Sequence, residues 1–193
     1  PQVMVDEPPD CGGDPLLARQ GDAAIAISAL TIPPVGSSSD LDGDGAPDNK
    51  LAAISSLAQS SSDDGLQQGT FVVPIELFDR DPDPDPCLKL GMYRGSCATT
   101  GCDLTDATAD VVNLDPTSID PGGAPYSRLR AMMTDSDGTV HSGPGYIELA
   151  LPVTDDIVLE LPITVIVADG TLTGSGTTTR LSMFRAGGVL QEF

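Results

Sequence analysis

From residue 70 onward the sequence is a train of short apolar runs with a period of two, each ended by Gly, Pro or Asp. That period places alternate side chains on one face of an extended chain, and the punctuating residues turn the chain back on itself. Residues 70–78 (TFVVPIELF), 88–94 (LKLGMYR), 126–134, 146–152 and 157–168 (IVLELPITVIVA) carry the pattern most fully, with shorter pieces at 109–114, 171–173 and 180–184. The run 157–168 is the most apolar, and β-branched residues, which suit a pleated surface, fill its second half. An earlier run, residues 22–32, ends at Pro33-Pro34. Pro74 lies inside a run and marks an edge strand or a bulge, since it has no N–H to give a ladder. The stretch 135–145 between two runs reads as turn-rich.

The scarcity of helix between these runs argues against a parallel βαβ architecture, and no repeat of roughly twenty to fifty residues marks a solenoid. The expected fold class is all-β: an antiparallel β-sandwich or barrel-like sheet with one short helix. That helix is predicted over residues 49–60 (NKLAAISSLAQS), where Leu51, Ile54, Leu57 and Ala58 share one face. Residues 60–69, with Asp63 and Asp64, read as a polar loop. Residues 1–20, rich in Pro, Gly and acids, form an extended arm. Residues 21–193 then make a single β-rich domain, with a loop-helix insertion at 36–69.

Charge narrows the partners. There are 29 acidic residues against 9 basic, a formal net charge of -20. Nucleic-acid phosphates and anionic lipid surfaces repel such a chain, whereas divalent cations are drawn to it. No apolar run reaches the roughly eighteen residues of a membrane span. The 39 % apolar content gathers into blocks that can bury a core, which argues against disorder. The chain opens on Pro1 rather than Met, the expected mark of processing or trimming. Its four cysteines, Cys11, Cys87, Cys97 and Cys102, have only His141 as a possible imidazole companion and no Cys-x2-Cys spacing, so disulfides are expected over zinc. Disulfides imply an oxidising compartment. Of the three possible pairings, spacing favours Cys97 with Cys102 across a short turn and Cys11 with Cys87.

One loop carries recognisable chemistry: Asp40-Leu41-Asp42-Gly43-Asp44-Gly45-Ala46-Pro47-Asp48. Alternating aspartates converge hard oxygens on a hard cation when the backbone curls, and a glycine at the sixth position permits the sharp turn. The expected calcium ligands are Asp40, Asp42, Asp44, the carbonyl of Ala46, and Asp48, the last through water. Residues 40–49 resemble the calcium loops of EF-hands and dockerins, and still more the Asp-rich loops of thrombospondin type 3 repeats found in bacterial surface and secreted proteins. The resemblance implies Ca2+ as cofactor and an extracellular or cell-surface location. It departs from the EF-hand pattern at the twelfth position, where Leu51 stands in place of a bidentate Glu. That departure implies a weak site that fixes a loop, with Asp63 or Asp64 as candidates for the missing ligand. Asp79, Asp81, Asp83 and Asp85 alternate with prolines and read as an exposed rigid spacer, and Asp135 and Asp137 read as a hairpin turn.

Catalytic groupings are not found in the sequence. His141 and Ser142 are adjacent and so point to opposite faces of an extended chain, and Asp155-Asp156 read as a hairpin tip. With no tryptophan, a sugar-stacking platform is scarce. The chain is therefore expected not to be an enzyme. The expected function is an extracellular calcium-stabilised structural or adhesive surface protein that assembles with itself into a homo-oligomer or fibre. Strand donation by residues 1–20 or 183–193 is the candidate route. The alternative is a calcium-dependent glycan- or protein-binding module with a cleft near Tyr93, Tyr126 or Tyr146 and a cell-surface ligand.

Overall fold

The computed structural model describes residues 23–34, 36, 45–46, 51–81, 84–99, 111–134, 137–154, 157–174 and 179–190, without the side chains of 165, 183–187, 189 and 190. Seven strands form one sheet: β1 (Ala23–Ala26), β2 (Pro74–Phe78), β3 (Lys89–Met92), β6 (Ser127–Met133), β7 (Thr139–Thr154), β8 (Ile157–Thr173) and β9 (Arg180–Leu190). They lie in the order β1-β2-β3-β6-β7-β8-β9, every neighbouring pair antiparallel. The sheet curls into a nearly closed, barrel-like body. A separate small ribbon pairs β4 (Gly95–Cys97) with β5 (Val112–Leu114). The fold is all-β, as the alternation requires, with one α-helix among the described residues, α1 (Ser55–Gln68).

Alternation builds the core directly. In β6, Ser127, Leu129, Ala131 and Met133 are buried, while Arg128, Arg130 and Met132 lie on the other face. Ile75, Leu77, Leu88, Leu90, Leu129, Met133, Val140, Ile147, Ile166 and Leu172 join the buried residues of the main cluster, with Ile25 and Leu181 packed against it from β1 and β9. A second cluster covers the far half of the β7–β8 hairpin. There Leu151 and Leu161 meet Ala58 of α1 and Ile32, with Leu30, Leu51 and Ile54 alongside. Helix α1 also reaches the strand backbone, as the Ser61 hydroxyl donates to the Val153 carbonyl at 2.8 Å.

Several boundaries differ from the sequence reading. The helix occupies Ser55–Gln68, so most of the predicted polar loop is helical, and Asp63 sits within it, accepting from Gln59 at 2.8 Å. Its buried stripe is Ala58, Ser62, Gly65 and Leu66, whereas Leu57 is 49 % exposed. Small residues let the helix lie close to its neighbours: a Cβ at Gly65 would stand 2.9 Å from the Phe71 Cβ. Gly69, left-handed at φ 73, closes the helix. Pro74 opens an interior strand, where its missing N–H is tolerated, instead of marking an edge. The predicted turn-rich stretch shrinks to the residues before Thr139, because His141-Ser142-Gly143-Pro144-Gly145 runs inside β7, with register shifts on both sides of Gly145. Gly143 has φ 96, a conformation that favours glycine. Likewise β8 continues through Thr173 as one strand, and Thr154 pairs with Ile157 across a two-residue connection.

Candidate functional site

The expected calcium ligands Asp40, Asp42, Asp44 and Asp48 lie outside the described residues. Two members of the loop are described. Gly45 has φ 88 with open space where a Cβ would project, the left-handed turn that the sixth position of such a loop requires, and Ala46 is exposed beside it. The oxygen-only ligand set and this turn fit a calcium ion. Among the described residues, no group of three or more His, Cys, Asp or Glu side chains is placed to hold a metal. Asp135 also lies outside them, as do Asp155 and Asp156.

The described part of the acidic connector, residues 79–81 and 84–86, is not an exposed rod. Asp85 is fully buried, accepting the N–H groups of Asp81 and Cys87 at 2.9 Å each. Asp79 adopts a left-handed backbone, which aspartate tolerates better than most residues, and its carboxylate pairs with Lys89 at 2.6 Å. Polyproline geometry is overridden because the chain must turn from β2 into β3, and Asp85 holds the turn's backbone together. Cys87 and Cys97 are disulfide-bonded, and no described cysteine is free.

The same use of aspartate recurs in residues 115–126, which cross the outer face of β3. Asp115 accepts the backbone N–H and hydroxyl of Thr117 at 2.8 Å, and the backbone bond, then the hydroxyl, holds its carboxyl below the usual range. Asp120 accepts from the N–H groups of Ala124 and Gly122 and from Arg128. The Ala124 bond leads the causes that lower its pKa. Arg128 in turn donates to the Pro125 carbonyl. Pro125 then packs where only glycine fits, since a Cβ at Gly91 would lie 2.7 Å from the Pro125 Cγ.

Below this loop is a pocket lined by Phe71, Tyr93, Arg94, Tyr126, Glu148 and neighbouring residues. Two of the tyrosines singled out from the sequence therefore line one pocket, and Tyr146 stands opposite Arg128 in the β6–β7 register. Tyr93 is buried and donates its hydroxyl to Glu76 at 2.7 Å. Burial first, and the Glu76 bond second, push its phenol well above the usual tyrosine range. Burial, and then Glu148, push Tyr146 upward as well. Arg94 pairs with Glu160 at 3.2 Å and bonds Thr117, while its Nε, 3.7 Å from Asp115, is buried without a hydrogen bond. Tyr126 is 46 % exposed. The pocket is small, about 10 Å³, room for one water and not for a sugar ring.

His141 is on β7, with Nδ1 2.6 Å from Asp169 on the outer face, while Ser142 is buried and donates to the Ala168 carbonyl. The two side chains take opposite faces, as adjacent strand residues must. Comparison of the chain with protein-family models, curated proteins and solved structures gives no match.

Proposed function

We propose that this chain is an extracellular, calcium-stabilised structural or adhesive module whose Asp-rich loop binds Ca2+ through Asp40, Asp42, Asp44, the Ala46 carbonyl and Asp48. The observation that supports the reading best is how the chain spends its aspartates. Asp85, Asp115 and Asp120 all turn their oxygens onto loop backbone or a neighbouring cation, bracing connections between strands. A calcium ion in the 40–48 loop extends that device, gathering side chains that would otherwise repel one another at a net charge of -20. The left-handed Gly45 and the disulfide-bonded Cys87 and Cys97 support the same reading and an oxidising location. Thermal unfolding in calcium and in chelator tests it. Chelation is expected to lower the melting temperature, and identical curves in the two buffers would remove calcium from the proposal.

A second reading, a calcium-dependent glycan- or protein-binding module, draws on the shared pocket of Tyr93 and Tyr126. The pocket's size and the commitment of the Tyr93 hydroxyl to Glu76 weigh against a sugar as the guest. Calcium-dependent signal on a glycan array, lost in Tyr126→Ala, would restore it.

A further inference from the structure

Alternation gives the outer half of the β7–β8 hairpin two faces. Leu149, Leu151, Leu159 and Leu161 share the face that packs on Ala58 of α1 and on Ile32. Glu148, Ala150 and Pro152 of β7 and Val158 and Glu160 of β8 take the opposite face, with Ala150 across from Glu160 and Pro152 across from Val158. Arg94, two residues past the end of β3, lies over that opposite face. It pairs with Glu160 at 3.2 Å and lines one pocket with Tyr126, Glu148 and Ala150. Tyr126, Arg94, Glu160 and Val158 therefore follow one another in a strip that runs from the pocket toward the hairpin tip.

Apolar surface on this strip faces water. Tyr126 is exposed, Val158 is 58 % exposed, and Pro152 beside it is half-buried. Leu114, also exposed, precedes Asp115, whose carboxylate stands 3.7 Å from the Arg94 Nε. Three carboxylates, those of Asp115, Glu148 and Glu160, thus lie around the guanidinium of Arg94. The acids face outward and the cation does not: the Glu160 side chain is 64 % exposed and that of Arg94 15 %. Exposed apolar side chains rimmed by charge, with a tyrosine among them, have the composition of a protein-binding surface. The rim sets the sign of the partner. A second copy brings the same acids and a net charge of -20, and phosphate-bearing polymers or lipids are repelled likewise, whereas a basic chain is drawn in.

We propose that this strip is a docking surface for a basic polypeptide segment. Apolar side chains of the segment cover Tyr126 and Val158, and its lysines or arginines meet Glu160 and Asp115. Charge brings the two together and governs the rate of encounter, while burial of Tyr126 and Val158 governs how long they stay. The inference rests on the adhesive half of the proposed function, to which it gives a surface and a class of partner, and it does not depend on calcium.

The test titrates the full chain with three synthetic peptides, alternating lysine and valine, lysine and serine, or glutamate and valine. Calorimetry reads the affinity, and light scattering reads the mass of the protein alone. The lysine–valine peptide is expected to bind best, and the Tyr126→Ser/Val158→Ser variant to bind it about tenfold more weakly. Val158→Ser alone, a change at an exposed strand position, is expected to lose part of that affinity and keeps the test open should Tyr126→Ser loosen the pocket. Leu57→Ser, which removes an exposed apolar side chain from α1, should bind like the native chain. Absence of binding overturns the proposal, as do equal binding of the lysine–valine peptide by the native and double-variant chains, and equal affinity for the lysine–serine or glutamate–valine peptide. A native chain that dimerises while the double variant stays monomeric also overturns it, by seating a second copy on this face. Each titration is repeated in chelator, where the affinity is expected to hold. A chain that binds the peptide but melts identically with and without calcium keeps this surface and loses the calcium reading; a calcium-stabilised chain that binds no peptide does the reverse.

Discussion

At the scale of single residues, three of the described carboxylates, Asp85, Asp115 and Asp120, act as backbone clamps. Asp85 is the sharpest case, buried with both oxygens accepting N–H groups. Asp85→Ala is expected to cost about 1.5–3 kcal/mol in a denaturant melt, and Asp85→Asn less, since one acceptor survives. Tyr93 carries a pH signature. Its folded pKa lies above the unfolded value of about 10, so its contribution is complete below that pH and is lost as pH rises toward the folded value. Tyr93→Phe should lower stability by about 1 kcal/mol at neutral pH and flatten the alkaline decline. Asp120 works in the opposite sense. Its folded pKa is depressed, so its stabilisation is present above about pH 4 and fades as pH falls through the folded value. Asp120→Asn should therefore make the acid limb of a stability profile shallower. The clamping role of Asp85 was hidden in the sequence, where DPDPDP spells a rod, because a turn's need for acceptors is known only once β2 and β3 are paired.

At the scale of elements, the strands were the legible part. Alternation located β2, β3, β6 and β8, because burial on one face writes a period of two into the chain. The helix was misplaced for a physical reason. Its contact stripe is made of Ala58, Ser62 and Gly65, which hydropathy reads as neutral, and their value lies in letting the helix approach Phe71 and β7 closely. Only the strands it packs on make that visible. The Gly-Pro-Gly stretch in β7 misled likewise: it signals a turn, yet here it shifts register within a continuous strand. Gly143 is essential to that shift, since at φ 96 a Cβ would stand 2.1 Å from the Ile166 carbonyl oxygen. Gly143→Ala combines left-handed strain with overpacking and should destabilise by roughly 2–4 kcal/mol, measured by denaturant unfolding. As for the candidate calcium site, its proposed ligand pattern rests on the sequence, and the structure adds the left-handed turn at Gly45.

At the scale of the whole molecule, the proposed calcium site would act by mass action. At a hundredfold excess over its dissociation constant, a single site adds about 2.7 kcal/mol, which for a chain of 193 residues is a melting shift of roughly 5–10 °C between calcium and chelator. A weak site, on the order of 10⁻⁴–10⁻³ M, needs calcium well into the millimolar range to show that full shift. The common direction of β1 and β9 also decides how the body meets tension. The start of β1 and the end of β9 lie at opposite ends of the barrel, because both strands run the same way. A pull between those two points runs along the strand axes, and the β1–β2 and β8–β9 ladders slide as blocks, with all their hydrogen bonds loaded together. The four-residue β1–β2 ladder is the shorter of the two, so it is expected to yield first when a single molecule is pulled from those points.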